Sequence, residues 1–483
     1  MTVDGETMTP RESTALGDRI QPRDCDLLIV GAGPAGMAAA VQAKALGMSV
    51  IVLDEQPRSG GQIWRDAGQV SPEMLQLLGV DYALGRDAVT ALRASGAEVI
   101  HDCLVWDIDR DRTVSALHAE RVMQFRPREL LLATGAMERP SPVPGWTLPG
   151  VMNAGAAQIA LKTAGLVPQG RVVLAGCGPL LLLLAVQLAR AGVKDLTVVE
   201  TTEAGAGRRA LRHLPEALRH PKLLLKGLSL LASLRLHGVR HIRRASQLRV
   251  MGQGRAEALQ FMAGGQSQTL AADTVLLHHG VLPNTQLTRL LRLAHRWDTG
   301  QQAWHVEADA FGLTGLAGIR VAGDGTSIAG ARAAELRGAI VALASARALG
   351  VLDAHRFEEG LKPLRRELDR ELAARPFLDT LYAPPQWITQ PADEVIVCRC
   401  EEVSAGRIRE MALLGCEGPN QTKFFSRCGM GPCQGRICGT VVTQLLAEAL
   451  DRSPQEVGAY RIRAPIKPIP LRALASLAQD DAN

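Results

Sequence analysis

The alternation of apolar and polar positions along the 483 residues predicts two copies of one α/β unit followed by a mainly helical remainder. Asp26 to Val30 is a short apolar run that reads as a strand. It enters GAGPAG, after which Met37 to Leu46 predicts a helix that Gly47 stops. Val50 to Leu53 predicts the second strand, ending at Asp54, and Arg128 to Gly135 a third that ends in Ala-Thr-Gly. The proline-rich run Pro140 to Pro149 marks a crossing, and the pattern then repeats. Arg171 to Ala175 is a strand, GCGPLL opens a long apolar helix, and Leu196 to Val199 is a strand ending at Glu200. Thr274 to Leu277 and Gly318 to Ala322 predict later strands, the second running through GDGTSIAG into an alanine-rich helix to about Leu349.

Two such units, with the chain returning late to the first, predict an α/β protein with two Rossmann-like dinucleotide-binding domains. The first is expected at 24–145 and again at 286–350, the second at 146–285. Residues 1–23 are polar, mixed in charge and expected to be a disordered tail. Residues 351–393 read as a helical linker, charged and amphipathic from Glu358 to Arg375 and aperiodic in APPQWITQPAD at 383–393. A small all-α cysteine module is expected at 394–460, and a basic, proline-punctuated tail at 461–483.

Composition narrows the function classes. Hydrophobic residues at 47% and charged residues at 21% are ordinary for a globular protein. Aromatic residues at 3% are too scarce for a nucleic-acid stacking platform. A net charge of +5, spread over this length, makes nucleic acid and anionic membrane poor first expectations. The N-terminus has no apolar core of a signal peptide. The most apolar stretch, Pro179 to Ala189, is interrupted by Gln187 and falls short of the roughly twenty residues that span a bilayer. The expected location is the cytoplasm, with membrane contact at most peripheral, on the inner face. Thiols stay reduced there, so clustered cysteines favour metal over disulfides.

The first glycine loop, Gly31-Ala32-Gly33-Pro34-Ala35-Gly36, lies between strand and helix. Its first glycine permits the tight turn, its second admits a pyrophosphate and its third lets helix and strand pack closely. Phosphates would sit on the free amides of the helix N-terminus. Asp54 is placed to accept ribose hydroxyls, with Glu55 as its backup, and an acid there favours FAD or NAD over NADP. Gly61 and Gln62 in GGQIW, Ala133-Thr134-Gly135, and Gly323-Asp324 tip the choice to FAD. Over about residues 24 to 350 these segments resemble the FAD half of the pyridine-nucleotide–disulfide oxidoreductase superfamily. His278 and His279, in the late strand, read as satisfied strand-end residues ahead of acid–base groups.

The second loop is incomplete. Gly176 and Gly178 begin it and Glu200 closes it, but Leu181 stands at the third glycine position and narrows the phosphate approach. NAD(P)H or another nucleotide there stays open, as does a scaffold role. Before residue 398 only Cys25, Cys103 and Cys177 occur, scattered singly, so no redox dithiol accompanies the flavin.

Six of the nine cysteines fall between Cys398 and Cys438. CRCEEVSAGRIREMALLGCEGPNQTKFFSRCGMGPCQGRICG resembles the small [2Fe-2S] domain of bacterioferritin-associated ferredoxin. Ser404 can cap a helix through Leu414, a second can run to Arg427, and Cys433 is expected near the start of a third. The resemblance implies a CxC pair and a later pair as cluster ligands: Cys398 with Cys400, and Cys428 with Cys433. Cys438 is set aside because on a regular helix it lies about 140° from Cys433, and Cys416 reads as packing. This chain has CxxxxC where that ferredoxin has CxxC, and structural zinc is the competing ligand.

These features, with GPNQTKFFSRCGMGPCQGR and APIKPIPLRALA, resemble over nearly the whole chain the larger subunits of hetero-oligomeric amine dehydrogenases. The opine (octopine and nopaline) oxidase A subunit, the hydrogen cyanide synthase B subunit and the alpha subunits of D-hydroxyproline and L-proline dehydrogenases form that family. The resemblance implies a subunit that relays electrons through flavin and cluster to a quinone or other acceptor. A smaller FAD subunit would oxidise the C–N bond; a small third subunit, and FMN at a subunit contact, are further expectations. The residues agree in offering no catalytic dithiol, clear base or Arg clamp for a substrate carboxylate, so no catalytic residue is assigned. Two other readings stay open: a stand-alone NAD(P)H:acceptor oxidoreductase using Glu200 and GCGPLL, and a non-catalytic scaffold with an iron–sulfur docking domain.

Overall fold

A computed structural model describes residues 21–477. The tail expected at 1–23 lies outside the described residues up to residue 20, and Arg23 already belongs to a strand. β1 (Arg23–Val30), α1 (Pro34–Ala45) and β2 (Val50–Leu53) make the opening βαβ unit. β1 pairs in parallel with β2 from Leu27–Val50 to Val30–Leu53, so both strands end at the edge that carries the glycine loop. Leu27, Leu28 and Ile29 are fully buried, which is why this strand is a continuous apolar run rather than an alternating one.

The first sheet has seven strands. β3 (Glu98–Ile100) lies beside β2, and on the other side of β1 come β6 (Arg121–Leu132), β5 (Val114–His118) and β4 (Cys103–Ile108). The sequence pattern does not predict the antiparallel β4–β5–β6 meander. The strand expected to begin at Arg128 begins at Arg121 and stops at Leu132, leaving Ala133 to Gly135 as loop.

The second sheet is parallel throughout. Its strands are β7 (Val151–Asn153), β8 (Val172–Cys177), β9 (Leu196–Glu200), β10 (Arg240–Ile242) and β11 (Thr274–His279), in the order β10-β9-β8-β11-β7. Helices α2 (Ala154–Ala164), α3 (Pro179–Arg190) and α4 (Pro221–Leu236) accompany it. A three-stranded antiparallel sheet over residues 246–271, likewise not predicted by the pattern, shares its core through Leu248, Leu259 and Phe261.

The chain then returns to the first sheet. β12 (Ile319–Val321) pairs in parallel with β6, and α5 (Ala331–Ala348) packs on α1. Their approach is so close that a Cβ on Gly338 would lie 2.0 Å from the Ala35 carbonyl oxygen, and one on Gly323 2.8 Å from the Ala35 Cβ. α6 (Ala354–Leu372) and α7 (Arg375–Leu381) follow, and the 383–393 segment contains a helical turn with Ile388 buried.

The cysteine module is not wholly helical. Ile396–Cys398 and Val403–Ser404 form a small antiparallel ribbon ahead of α8 (Ala405–Leu413) and α9 (Pro419–Ser426). Ser404 Oγ accepts the Arg407 amide, as its capping position predicts. The helix expected near Cys433 instead starts at Gly439, as α10 (Gly439–Leu450). Gly429, Gln434 and Gly435 have positive φ, so the glycine-dense run before it turns rather than winds. Val397, Ile408, Val442 and Leu446 share one hydrophobic core with Leu28, Phe125 and Leu132, which fixes the module to the first domain. The last stretch crosses that domain too: the Ile466 amide donates to Trp106 O at 3.0 Å, and Lys467 pairs with Glu55. Among the described residues no helix is long and apolar enough to cross a membrane.

Candidate nucleotide and cysteine sites

At the first glycine loop, α1 begins after Gly33 with no side-chain cap and no acid in its first turn. Its leading amides are therefore available to an anion, and the helix dipole favours one. Gly31 has φ +108, and a Cβ there would lie 2.4 Å from Ala133 O; a Cβ on Gly36 would lie 1.8 Å from Gly31 O. At Gly33 the nearest atom to such a Cβ is Gly61 Cα at 3.8 Å, so the space over Gly33 is open to a ligand. The two edge glycines hold the loop shape, and the middle one leaves room. That shape, with the free amides behind it, fits a pyrophosphate.

Neighbouring segments close around it. The Gly60 amide donates to Ala32 O at 2.8 Å, laying the GGQ loop against the first loop. Lys162, on α2 and 4% exposed, donates from Nζ to Gln62 O (3.1 Å), Ile63 O (3.0 Å) and Gln158 Oε1 (3.0 Å). Burial, aided by the nearby Arg65, pushes that amine down to about 7. Asp54 Oδ2 accepts the Ala32 amide at 2.5 Å and Oδ1 the Gln56 amide at 2.8 Å, and burial raises its carboxyl. Each oxygen retains a lone pair for a ribose hydroxyl. Glu55 is engaged by Lys467 from the C-terminal stretch. Thr134 Oγ donates to Asn284 O at 3.0 Å, and the Asn284 amide donates to Gly135 O at 2.9 Å. Asp324 Oδ1 accepts the Ala329 and Gly330 amides (2.8 and 3.1 Å), shaping the turn into α5 beside Gly323.

The second loop is hemmed in by neighbouring chain at its first two residues. Gly176 abuts β11 so tightly that a Cβ would lie 1.7 Å from His278 O, and Gly178 caps α3. Cys177 Sγ lies 3.6 Å from Tyr382 O, just beyond α7, and α7 packs on the helical segment that follows β9. Leu181 is fully buried. Glu200 is occupied as well: Oε2 is 2.8 Å from His241 Nε2, and Oε1 accepts Thr202 Oγ at 2.7 Å. Burial pushes its carboxyl up, but these bonds outweigh burial and hold it below its ordinary value.

His278 Nδ1 is 2.7 Å from Glu138 Oε1, and His279 Nδ1 is 2.8 Å from Ser141 Oγ; both rings are buried. Cys25, Cys103 and Cys177 are buried singly, and burial pushes each thiol up to about 12. Thiols in that range are poor nucleophiles.

In the module, the sulfurs of Cys398, Cys428 and Cys438 lie within 4.8 Å of one another, and Cys400 Sγ is 3.7 Å from Cys433 Sγ. Cys398, Cys400, Cys433 and Cys438 together line a cavity of about 110 Å³, which Glu138, Trp146 and Asn153 line as well. That volume is several times what one water needs. Cys428 is fully buried behind this wall, and Cys416 is buried apart from the group. Cys438 reaches Cys398 and Cys428 because the Cys433–Cys438 run is a turn rather than a helix, so the roughly 140° separation of a regular helix does not apply. Thiols of Cys428 and Cys438 facing Cys398 hold it well below the usual thiol range and are themselves pushed up, Cys428 to about 12. So many sulfurs cannot ionise together without a cation between them, and a thiolate-bound metal centre fits this donor set. Trp146 is held against the cysteine segment, its Nε1 donating to Ile396 O at 2.7 Å while Arg399 stacks on its ring.

Two linked dinucleotide-binding sheets, the first completed by a late return of the chain, define the pyridine nucleotide-disulphide oxidoreductase class; the model of that description matches residues 25–346. A second model, sarcosine oxidase A3 domain, matches residues 395–478. More narrowly, the chain belongs to the family that holds the opine oxidase A subunit and the hydrogen cyanide synthase subunit HcnB. It is 46% identical to the opine oxidase A subunit of Agrobacterium tumefaciens, over 94% of this chain and 92% of that one. To HcnB of Pseudomonas protegens it is 32% identical, over 94% and 98%. L-proline dehydrogenase from P. horikoshii shares the fold over 95% of this chain and 81% of that one, with TM-score 0.66 at 19% identity. The chain is an oxidoreductase subunit of flavoprotein type.

Proposed function

We propose that this chain is the electron-transferring subunit of a hetero-oligomeric dehydrogenase that oxidises the C–N bond of an opine or of a D-hydroxyproline-, proline- or glycine-like amino acid. One observation carries the reading: a cavity walled by four cysteines is fixed by a continuous core to a flavin-type nucleotide fold. The names of the relatives point to opine and amine substrates. A smaller FAD subunit would oxidise the substrate, with a quinone or other acceptor downstream; interface FMN and a third subunit belong to the same reading.

In this reading FAD is held by residues 24–145 and 286–350, and a [2Fe-2S] cluster by residues 394–460. Gly31 to Gly36 would seat the pyrophosphate, Asp54 the ribose, and Gly61, Gln62, Ala133 to Gly135, Gly323 and Asp324 the remainder. Cys398, Cys400 and Cys433 would ligate the cluster; the cavity wall favours Cys438 as the fourth ligand, with Cys428 behind it. When bound, a flavin and a one-electron centre together supply the step from two-electron to one-electron transfer. The residues themselves orient these groups, and Trp146 and Glu138 close the cysteine cavity. The buried Leu181 at the third glycine position, with Glu200 engaged by His241, weighs against the stand-alone NAD(P)H reading.

Co-expression with neighbouring reading frames, followed by iron, sulfide and flavin counts, tests the proposal. Cys400→Ser is expected to remove the visible cluster spectrum while flavin stays bound. Rapid bleaching of the isolated chain by NADH, or amine oxidation by this chain alone, would sink it.

A further inference from the structure

The positive charge of this chain is not evenly spread. Residues 206–244 contain ten Lys and Arg residues and a single carboxylate, Glu216. All ten basic residues are exposed. Arg209 pairs with Glu203 and Lys226 with Asp81, which leaves the surface strongly basic.

α4 lies in the middle of this segment and is built unlike an ordinary surface helix. Leu234 and the half-buried Leu230 and Leu231 pack inward, and the helix rests on α3. The outward face is also apolar: Leu225, Leu228 and Leu236 are 62%, 63% and 86% exposed. At spacings of three and eight residues they share one side of the helix with Ala232. Lys222 and Lys226 border that stripe on one flank and Arg235 on the other, and α4 contains no acid. The preceding helical turns add Leu211 and Leu218, 56% and 57% exposed. A surface helix ordinarily presents its polar face outward.

We propose that α4 and its basic flanks are a docking surface for an anionic lipid bilayer. The helix lies in the plane of the interface, its outer leucines among the acyl chains and its lysines and arginines at the headgroups. Charge complementarity selects this occupant. The two residues flanking the stripe on one side, Lys222 and Lys226, are of the type depleted from protein-interface cores, whereas at a membrane a lysine stem lies along apolar surface while its ammonium stays with the phosphates. The exposed leucines would gain nothing from nucleic acid. This proposal stands apart from the electron-transfer reading, because vesicle binding is scored independently of cluster and flavin content.

The test uses the full chain with its cofactors, sedimented with vesicles of phosphatidylglycerol and phosphatidylcholine or of phosphatidylcholine alone. Binding is expected on the anionic vesicles, weakening at high salt. The triple variant Leu225→Ser, Leu228→Ser, Leu236→Ser should lower it by about tenfold or more. The triple variant Arg208→Glu, Arg212→Glu, Arg219→Glu should abolish the preference for anionic lipid. Amide exchange in residues 221–236 of the unaltered chain should slow when anionic vesicles are added. The proposal is overturned by absence of sedimentation at low salt, or by sedimentation that both variants leave unchanged. It is equally overturned if α4 is already protected in the assembled complex without lipid, which would make this face a subunit contact.

Discussion

A methyl group on Gly36 would collide with the Gly31 carbonyl, whereas one on Gly33 meets only ordinary van der Waals distance. The two positions therefore separate fold from ligand. Gly36→Ala is expected to destabilise the chain by about 2 kcal/mol or more, read as a lowered unfolding midpoint. Gly33→Val should fold with little change in midpoint and lose its flavin, read by absorbance of the purified protein. If both variants behave alike, the middle glycine is structural and the cradle has been misread. The fingerprint was legible because glycines, acid and apolar runs follow one another within about thirty residues. Cys438 was not. Its place beside Cys398 depends on the turn between Cys433 and Gly439, and the signal that could have found it is the glycine density of CGMGPCQGRIC, which argues against a helix there.

Segments that fold on their own sequence were read well, and those that depend on distant partners were not. β1, α1 and β2 follow from local periodicity, as do β8, α3 and β9. The β4–β5–β6 meander escaped because its central strands are short and partly buried on both faces, which blurs alternation. The junction of α2 with the GGQ loop was equally invisible, since Lys162 is about a hundred residues from Gln62. Three acceptors converge on that one buried amine, so α2 pins a loop of the first domain. Lys162→Met should strand the Gln62 and Ile63 carbonyls at a cost of about 1–3 kcal/mol, which appears as flavin held roughly tenfold more weakly. Unchanged flavin retention on gel filtration would reduce Lys162 to a packing role. The basic run around α4 stood in plain view but was averaged away by a net charge taken over the whole chain.

Across the whole molecule, buried histidines set the acid limit. Burial pushes His279 and His295 down to about 3. In the unfolded chain each titrates at about 6.5, so below that pH the unfolded state takes up protons that the folded state refuses. Stability is therefore lost as pH falls from about 6.5 toward 3, by about 1.4 kcal/mol per pH unit for each ring. Urea midpoints should drop steeply between neutral and mildly acidic pH, and His279→Gln should flatten that slope. An unchanged slope would place the acid sensitivity elsewhere.

The crossing of the first domain by Ile466 and Lys467 opposes the order of synthesis to the order of closure. Glu55 and Trp106 emerge from the ribosome hundreds of residues before the groups that cover them. A nascent first domain thus waits for β12 until residue 321 has been made, and for the cover over Trp106 and Glu55 until residues 466 and 467. Contacts of such sequence separation form slowly and leave apolar surface exposed meanwhile. A stop between β12 and residue 466 accordingly leaves the first sheet complete but Trp106 and Glu55 without their cover.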